Sequence, residues 1–171
     1  MVRRGTAILA CDVPVKDNDG NLLGSAIPHV SFHKTGRYMP GNADSAEVEI
    51  LARIQENLRS SPLAGFVGEG LAPFGSLVPS MDAALERAVF SGMPVVKVGR
   101  GNAEGMVPII PGTPFLSGSN LTATKARLLL MACLMKFGAL PPAADPAHPR
   151  PEERKAVDAK LAQYQAVLST H

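Results

Sequence analysis

The chain has no tryptophan, and aromatic residues make up 5% of its 171 positions. Proteins that grip single-stranded nucleic acid stack bases on aromatic rings, so that class is excluded. Positive charge is also thinly spread. No run of Lys and Arg exceeds a pair, and the formal net charge is +2. The electrostatic footprint of a nucleic-acid binder is missing. Cysteine is limited to Cys11 and Cys133, far apart and without C-x-x-C spacing. That argues against a zinc site or a disulfide framework, and for two buried thiols in a reducing compartment. No apolar run approaches the ~20 residues of a membrane span. The opening "MVRRGTAILACD" has two arginines before an apolar stretch. That stretch falls short of the ~7–15 residues of an export signal, and a first strand is the better reading. A cytoplasmic protein is expected.

What remains is the composition of a folded domain, with 46% hydrophobic and 19% charged residues. A single α/β domain over 1–171 is expected. Residues 1–40 read as a β-hairpin region, with strands flanking "VKDNDGNLL" and a turn at Asp19-Gly20. The "DNDG" step lacks the distal acidic ligand of a calcium loop. The second strand is "IPHVSFH". Residues 41–138 alternate between strands and helices. "NADSAEVEILARIQENL" is a helix capped by Asp44 or Ser45, and "VPSMDAALERAVFSG" a helix capped by Ser80 and stopped by Gly92. "LAGFVGEG", "MPVVKVG" and "TPFLSGS" are strands. Strands separated by helices predict an open, mostly parallel sheet with flanking helices. The helix in "SGSNLTATKARLLLMACL", capped by Asn120 or Thr122, has little polar surface and should be buried on several sides. Residues 139–151 form a proline-rich linker, and 152–171 a terminal helix.

Ligands of open parallel sheets bind beyond the carboxyl ends of the strands. Three glycine-bearing loops fall there: "HKTGRY", "GEGLAPFGS" and "GRGNAEG". In the first, Thr35 is a candidate nucleophile with Tyr38 as its activator and the Gly36 amide facing an oxyanion. The competing reading makes Thr35-Gly36 a simple turn. Glu69 and Glu104 are candidates to hold the ammonium group of an amino acid, or are solvated loop carboxylates. His29 and His33 share a strand face but have no obvious third metal ligand, so no metal is expected. "GRGNAEG" is followed by no helix and is not a dinucleotide fingerprint, so no cofactor is expected.

Several stretches resemble the bacterial L-asparaginases. "SGSNLTATKARLLLMACL" is similar to that family's G-x-L-x-P-x-K-A-R-x-L-L-x-x-A-L segment. "LERAVFSGMPVVKVGRGNAEG" resembles L-x-x-A-x-x-x-G-x-x-V-V-R-S-S-R-x-x-x-G. "LAGFVGEGLAP" resembles G-I-V-x-x-G-x-G-N, and "YMPGNAD" resembles Y-x-P-G-A. Order and spacing agree over residues 30–138. The resemblance implies the fold of the family's C-terminal domain and hydrolysis of an amino-acid amide: L-asparagine and water give L-aspartate and ammonia. It also implies a homo-oligomer, because the family builds its sites between subunits. The family's asparagine falls near Leu71 here, and Glu104 matches its glutamate. Lys125 and Arg127 would be structural. The N-terminal T-G-G-T-I and H-G-T-D-T motifs do not occur in this chain. Their absence supports the competing expectation of a non-catalytic binding or assembly module derived from the same small domain.

Overall fold

The computed structural model describes residues 2–4, 7–9, 12, 14–21, 23, 27–35, 63–71, 74–100 and 106–170. The helix expected from Asp44 or Ser45 lies outside them. A short antiparallel hairpin, β1 (Val2–Arg4) and β2 (Ala7–Leu9), opens the chain. The main sheet is parallel, with strands in the order β3 (His29–Lys34), β4 (Leu63–Gly70), β5 (Val95–Gly99) and β6 (Leu116–Ser117). Helices α1 (Pro79–Phe90), α2 (Ala123–Phe137) and α3 (Pro151–Leu168) flank it. The expected α/β sheet is present. None of the described helices is long and apolar enough to cross a membrane.

The N-terminal pairing differs in place from the sequence reading. The antiparallel pair lies at 2–9, whereas His29–Lys34 joins the parallel sheet beside β4. The expected turn does form: Asp17 accepts the Gly20 amide, and Gly20 takes a φ of 85°. Leu23 donates to the Val15 carbonyl at 2.9 Å across that turn. Val30 is fully buried and Phe32 packs against the core. A strand with apolar side chains on one face gains more against a covered sheet than in an isolated hairpin.

Register decides which side chain faces which helix. Ser31 lies opposite Phe66, and His33 opposite Gly68. Side chains alternate along a strand, so Ser31, His33 and Thr35 share one face, and Phe32 and Lys34 the other. The first face meets α1, where Thr35 touches Met81. The second meets α2, where the Arg127 guanidinium lies 5.2 Å from the centre of the Phe32 ring. Val95, Val96 and Val98 are all fully buried, as a strand covered on both faces requires.

Helix termini explain most of the local sequence. Val78, not Ser80, occupies the N-cap of α1, and Pro79 fills the first helical position. Proline is suited there because its missing N–H has no intrahelical partner in any case. Gly92 ends the segment at a φ of 98°. Thr122 caps α2 by accepting the Lys125 amide at 3.3 Å. The buried residues of α2 are Ala126, Leu130, Cys133 and Leu134, while Leu128 remains 61% exposed. The expectation of burial on several sides is thus met on the sheet and α3 sides alone. The last carbonyls of α2 are satisfied from α3: the Tyr164 hydroxyl donates to Gly138, and the Lys160 ammonium to Phe137. Burial pushes the Cys133 thiol up to about 12.

The proline-rich segment is anchored to the core. Leu140 and Ala143 are buried, and their amides donate to the carbonyls of Gly92 and Phe90 at 3.0 and 2.7 Å. It leads into a closed cap on α3. Glu153 accepts from the Arg150 guanidinium at 2.7 Å, the Arg150 amide at 2.8 Å and the Ala144 amide at 3.1 Å.

Two outcomes follow. At Gly70 an added Cβ would lie 2.1 Å from the Gly75 carbonyl oxygen. Gly70→Ala should lower stability by about 3 kcal/mol, the upper part of the overpacking range, in urea denaturation. The hydrogen bonds to Glu153, led by that from the Arg150 side chain, depress its carboxyl from 4.5 to about 2. A depressed carboxyl favours the folded state above its unfolded value. That contribution is lost as pH falls from about 4.5 to about 2. Glu153→Gln should flatten the pH dependence of melting in that window and leave it unchanged above pH 6.

Candidate functional site

The sheet is covered on both faces, and ligands of such sheets bind beyond the carboxyl ends of the strands. Three neighbouring strands end there in charge. Lys34 closes β3, Glu69 lies one residue before the end of β4, and Arg100 follows β5. Lys34 and Glu69 are register partners, and Gly70 pairs with Gly99 just before Arg100. The Glu69 carboxylate therefore sits between two cations. Its Oε2 is 3.5 Å from Lys34 Nζ, and its Oε1 is 3.2 Å from Arg100 Nε. Glu69 is 12% exposed, against 62% for Lys34 and 45% for Arg100. The carboxylate forms the floor and the cations form the rim.

Arg100 binds the edge together through its backbone as well. Its amide donates to the Gly70 carbonyl at 3.0 Å, and its guanidinium donates to the Thr35 carbonyl. The Thr35 amide in turn donates to the Glu69 carbonyl at 2.9 Å. A guanidinium suits this role because its planar fork can serve a carboxylate and a carbonyl at once.

Thr35 is 2% exposed, and its hydroxyl donates to the Met81 sulfur at 3.7 Å. Its side chain faces α1, on the opposite side of the sheet from Glu69. The structure thus joins Thr35 and Glu69 through their backbones and through Arg100, not through their side chains. Gly36, Tyr38 and Glu104 lie outside the described residues. Glu69 belongs to a strand end and not to the glycine-rich loop that the sequence suggested. Leu71, near which the resemblance puts the family's asparagine, sits in a tight turn. It donates to the Ser76 carbonyl at 2.9 Å and accepts from the Gly75 amide at 2.8 Å. His29 is exposed at the start of β3, whereas His33 is buried with its ring 5.3 Å from that of Phe66.

Arg100 was not among the residues singled out from sequence. Its signal was a positional one. Lys34, Glu69 and Arg100 each lie at or next to a strand's end, and a parallel register brings those ends together.

No protein-family model matches the chain, and no curated protein matches it in sequence. Among solved structures, the fold is similar to that of a probable cytoplasmic L-asparaginase from Campylobacter jejuni. The TM-score is 0.54 at 22% sequence identity. The similarity covers 79% of this chain and 35% of that one, so this chain spans about a third of the solved protein. The likeness is one of fold.

Removing the shared carboxylate should loosen the edge. Glu69→Gln leaves Lys34 and Arg100 facing each other without a counter-charge. Because both cations are solvated, the loss should be about 1 kcal/mol in chemical denaturation, and smaller at high salt.

Proposed function

We propose that the chain is an L-asparaginase-type amidohydrolase domain whose strand-end edge binds an amino-acid amide. The observation that supports this reading is the Lys34–Glu69–Arg100 cluster, set at the carboxyl ends of a parallel sheet of the asparaginase-like fold. Glu69 presents a carboxylate to a substrate ammonium, and the two cations serve a substrate carboxylate. Glu104 is the second proposed ammonium ligand.

The chemistry follows from the hydroxyl at the edge. Thr35 Oγ1 attacks the side-chain amide carbon of L-asparagine, and Tyr38 takes its proton. The Gly36 amide holds the oxyanion while the C–N bond breaks. The proton passes to the leaving nitrogen, and ammonia departs. Water then cleaves the ester, giving L-aspartate and free Thr35. Attack requires the Thr35 hydroxyl to turn away from Met81. The cytoplasm is the proposed compartment. A two-fold dimer is the proposed assembly, as the resemblance implies.

One observation favours a second reading, that of a module without chemistry of its own. The Thr35 hydroxyl is buried against a thioether, and among the described residues its hydrogen-bond partner is that sulfur and not a base.

Ammonia release by the purified chain from L-asparagine and L-glutamine tests both readings. The first expects turnover that falls by about three orders of magnitude or more in Thr35→Ala. Turnover that survives Thr35→Ala rejects the nucleophile. An inert wild-type chain rejects the amidohydrolase and leaves the module. Sedimentation should give twice the 17.9 kDa chain mass, and a clean monomer removes the dimer.

A further inference from the structure

A second polar constellation lies away from the strand-end cluster. A cleft of about 300 Å³ opens between the first turn of α1, strands β5 and β6, and the segment that leads into β6. That volume is at the lower end of small-molecule sites. Its polar centre is an ion pair. Lys97 Nζ lies 2.5 Å from Asp82 Oδ1 and 4.1 Å from the centre of the Phe115 ring. Lys97 interrupts an otherwise apolar strand, and its side chain is 16% exposed against 38% for Asp82. A lysine that merely completes a strand face would reach for solvent. This one is folded back over an aromatic ring at the cleft wall.

Two hydroxyls around the cleft are already committed. Ser117 Oγ donates to the Val107 carbonyl at 2.6 Å, and Thr113 Oγ1 to the Ile110 carbonyl at 2.9 Å. The charged pair is thus the strongest polar feature a ligand would meet. The rest of the lining is largely apolar, and its mouth is unusual. Phe74 is 62% exposed and Ile110 52%, and both line the cleft. Large side chains held open to water at the mouth of a cleft gain by covering a ligand.

We propose that this cleft binds a zwitterionic amino acid with an apolar side chain. An ammonium has three donors; the ion pair with Asp82 and the Phe115 face take up two of its directions. The third is available to a ligand carboxylate. Asp82 retains a second oxygen for the ligand ammonium. The two ligand charges sit on one carbon, and the two protein charges are in contact, so both pairs form side by side. The charged lining residues, Asp82 and Lys97, cancel each other, so a zwitterion enters without net charge transfer, whereas a singly charged ligand leaves one charge of the quartet unpaired. Phe74, Ile110 and Phe115 enclose the apolar side chain. The site is separate from the amide chemistry proposed for the strand ends and does not depend on it.

The test uses L-phenylalanine, 3-phenylpropanoate and 2-phenylethylamine on the full ¹⁵N-labelled chain. The first is the zwitterion, and the others each keep one of its charges. L-Phenylalanine should shift the amides of Asp82, Lys97, Thr113 and residues 115–117 saturably in the millimolar range. Each singly charged analogue should bind about tenfold more weakly or worse, as should Asp82→Asn with the zwitterion. Arg100→Gln should leave binding intact. The idea fails if no saturable shift occurs, or if an analogue binds as well as the amino acid. It also fails if Asp82→Asn folds and binds like the parent, or if Arg100→Gln abolishes binding, which assigns the signal to the strand ends. Should Asp82→Asn not fold, the analogue series on the unaltered chain decides.

Discussion

Strand β4 sets the thickness of the whole fold. At Gly65 an added Cβ would come 3.3 Å from a Leu130 methyl of α2, and at Gly68 it would come 3.0 Å from a Leu77 methyl. Both layers are therefore packed against a strand that has surrendered side chains to let them in. The interior is filled from the layers instead, by Leu85, Ala88 and Val89 on one side and by Ala126, Leu130 and Leu134 on the other. Close packing of this kind leaves little room for relaxation, because interiors are as dense as organic crystals. At the end of the same strand Gly70 lets the Gly75 carbonyl approach, which turns the chain sharply back toward α1. Layer spacing, the position of α1 and the shape of the strand-end edge share that one cause.

A sheet sealed in this way leaves polar groups two places to go. The first is the carboxyl edge, where Lys34, Glu69 and Arg100 meet and hold one another. The second is the β6 side, where the sheet is short. There the Gln165 side chain of α3 does the work of a further strand. Its amide oxygen accepts the Ser117 N–H at 2.8 Å, and its nitrogen donates to the Ser117 carbonyl at 3.1 Å. An edge satisfied by a side chain cannot recruit another strand, which protects it from edge-to-edge pairing. The Asp82–Lys97 pair lies on the same side of the molecule and links α1 to β5. Each of the two polar regions is thus both a fastening and a surface.

The sequence made the parallel sheet legible because apolar runs such as "VVKVG" and intervening helical periods have a plain physical meaning. The stop at Gly92 and the cap at Thr122 were equally readable, since each rests on a single residue's chemistry. Ser80 misled because serine is a good cap in isolation, while the proline beside it fixes the first helical position by its ring. The hairpin was displaced because a turn at Asp19-Gly20 specifies a reversal, not the partner of the strand beyond it. The pairing of Glu69 with Arg100 was illegible for a related reason. Register between distant strands sets it, and no local pattern records register. Likewise the exposure of Leu128 depends on where α3 docks, which the composition of α2 cannot reveal.

The alternation of a strand constrains the chemistry at the edge more than any residue identity does. Thr35 points to the α1 side and Glu69 to the α2 side. No substrate lying on one face of the sheet can touch both. A substrate that does reach both must lie across the strand ends, above the Arg100 guanidinium that bridges the Thr35 carbonyl and the Glu69 carboxylate. Arg100 then occupies the place where a substrate carboxylate would arrive, and its half-exposed charge is suited to receive one. The amide end would have to descend toward a hydroxyl that is buried and held by Met81. Among the described residues, binding across the edge uses side chains where they stand, whereas catalysis demands a movement, the rotation of Thr35. That asymmetry is why the binding half of the proposal rests on the side-chain positions and the catalytic half rests on the threonine alone.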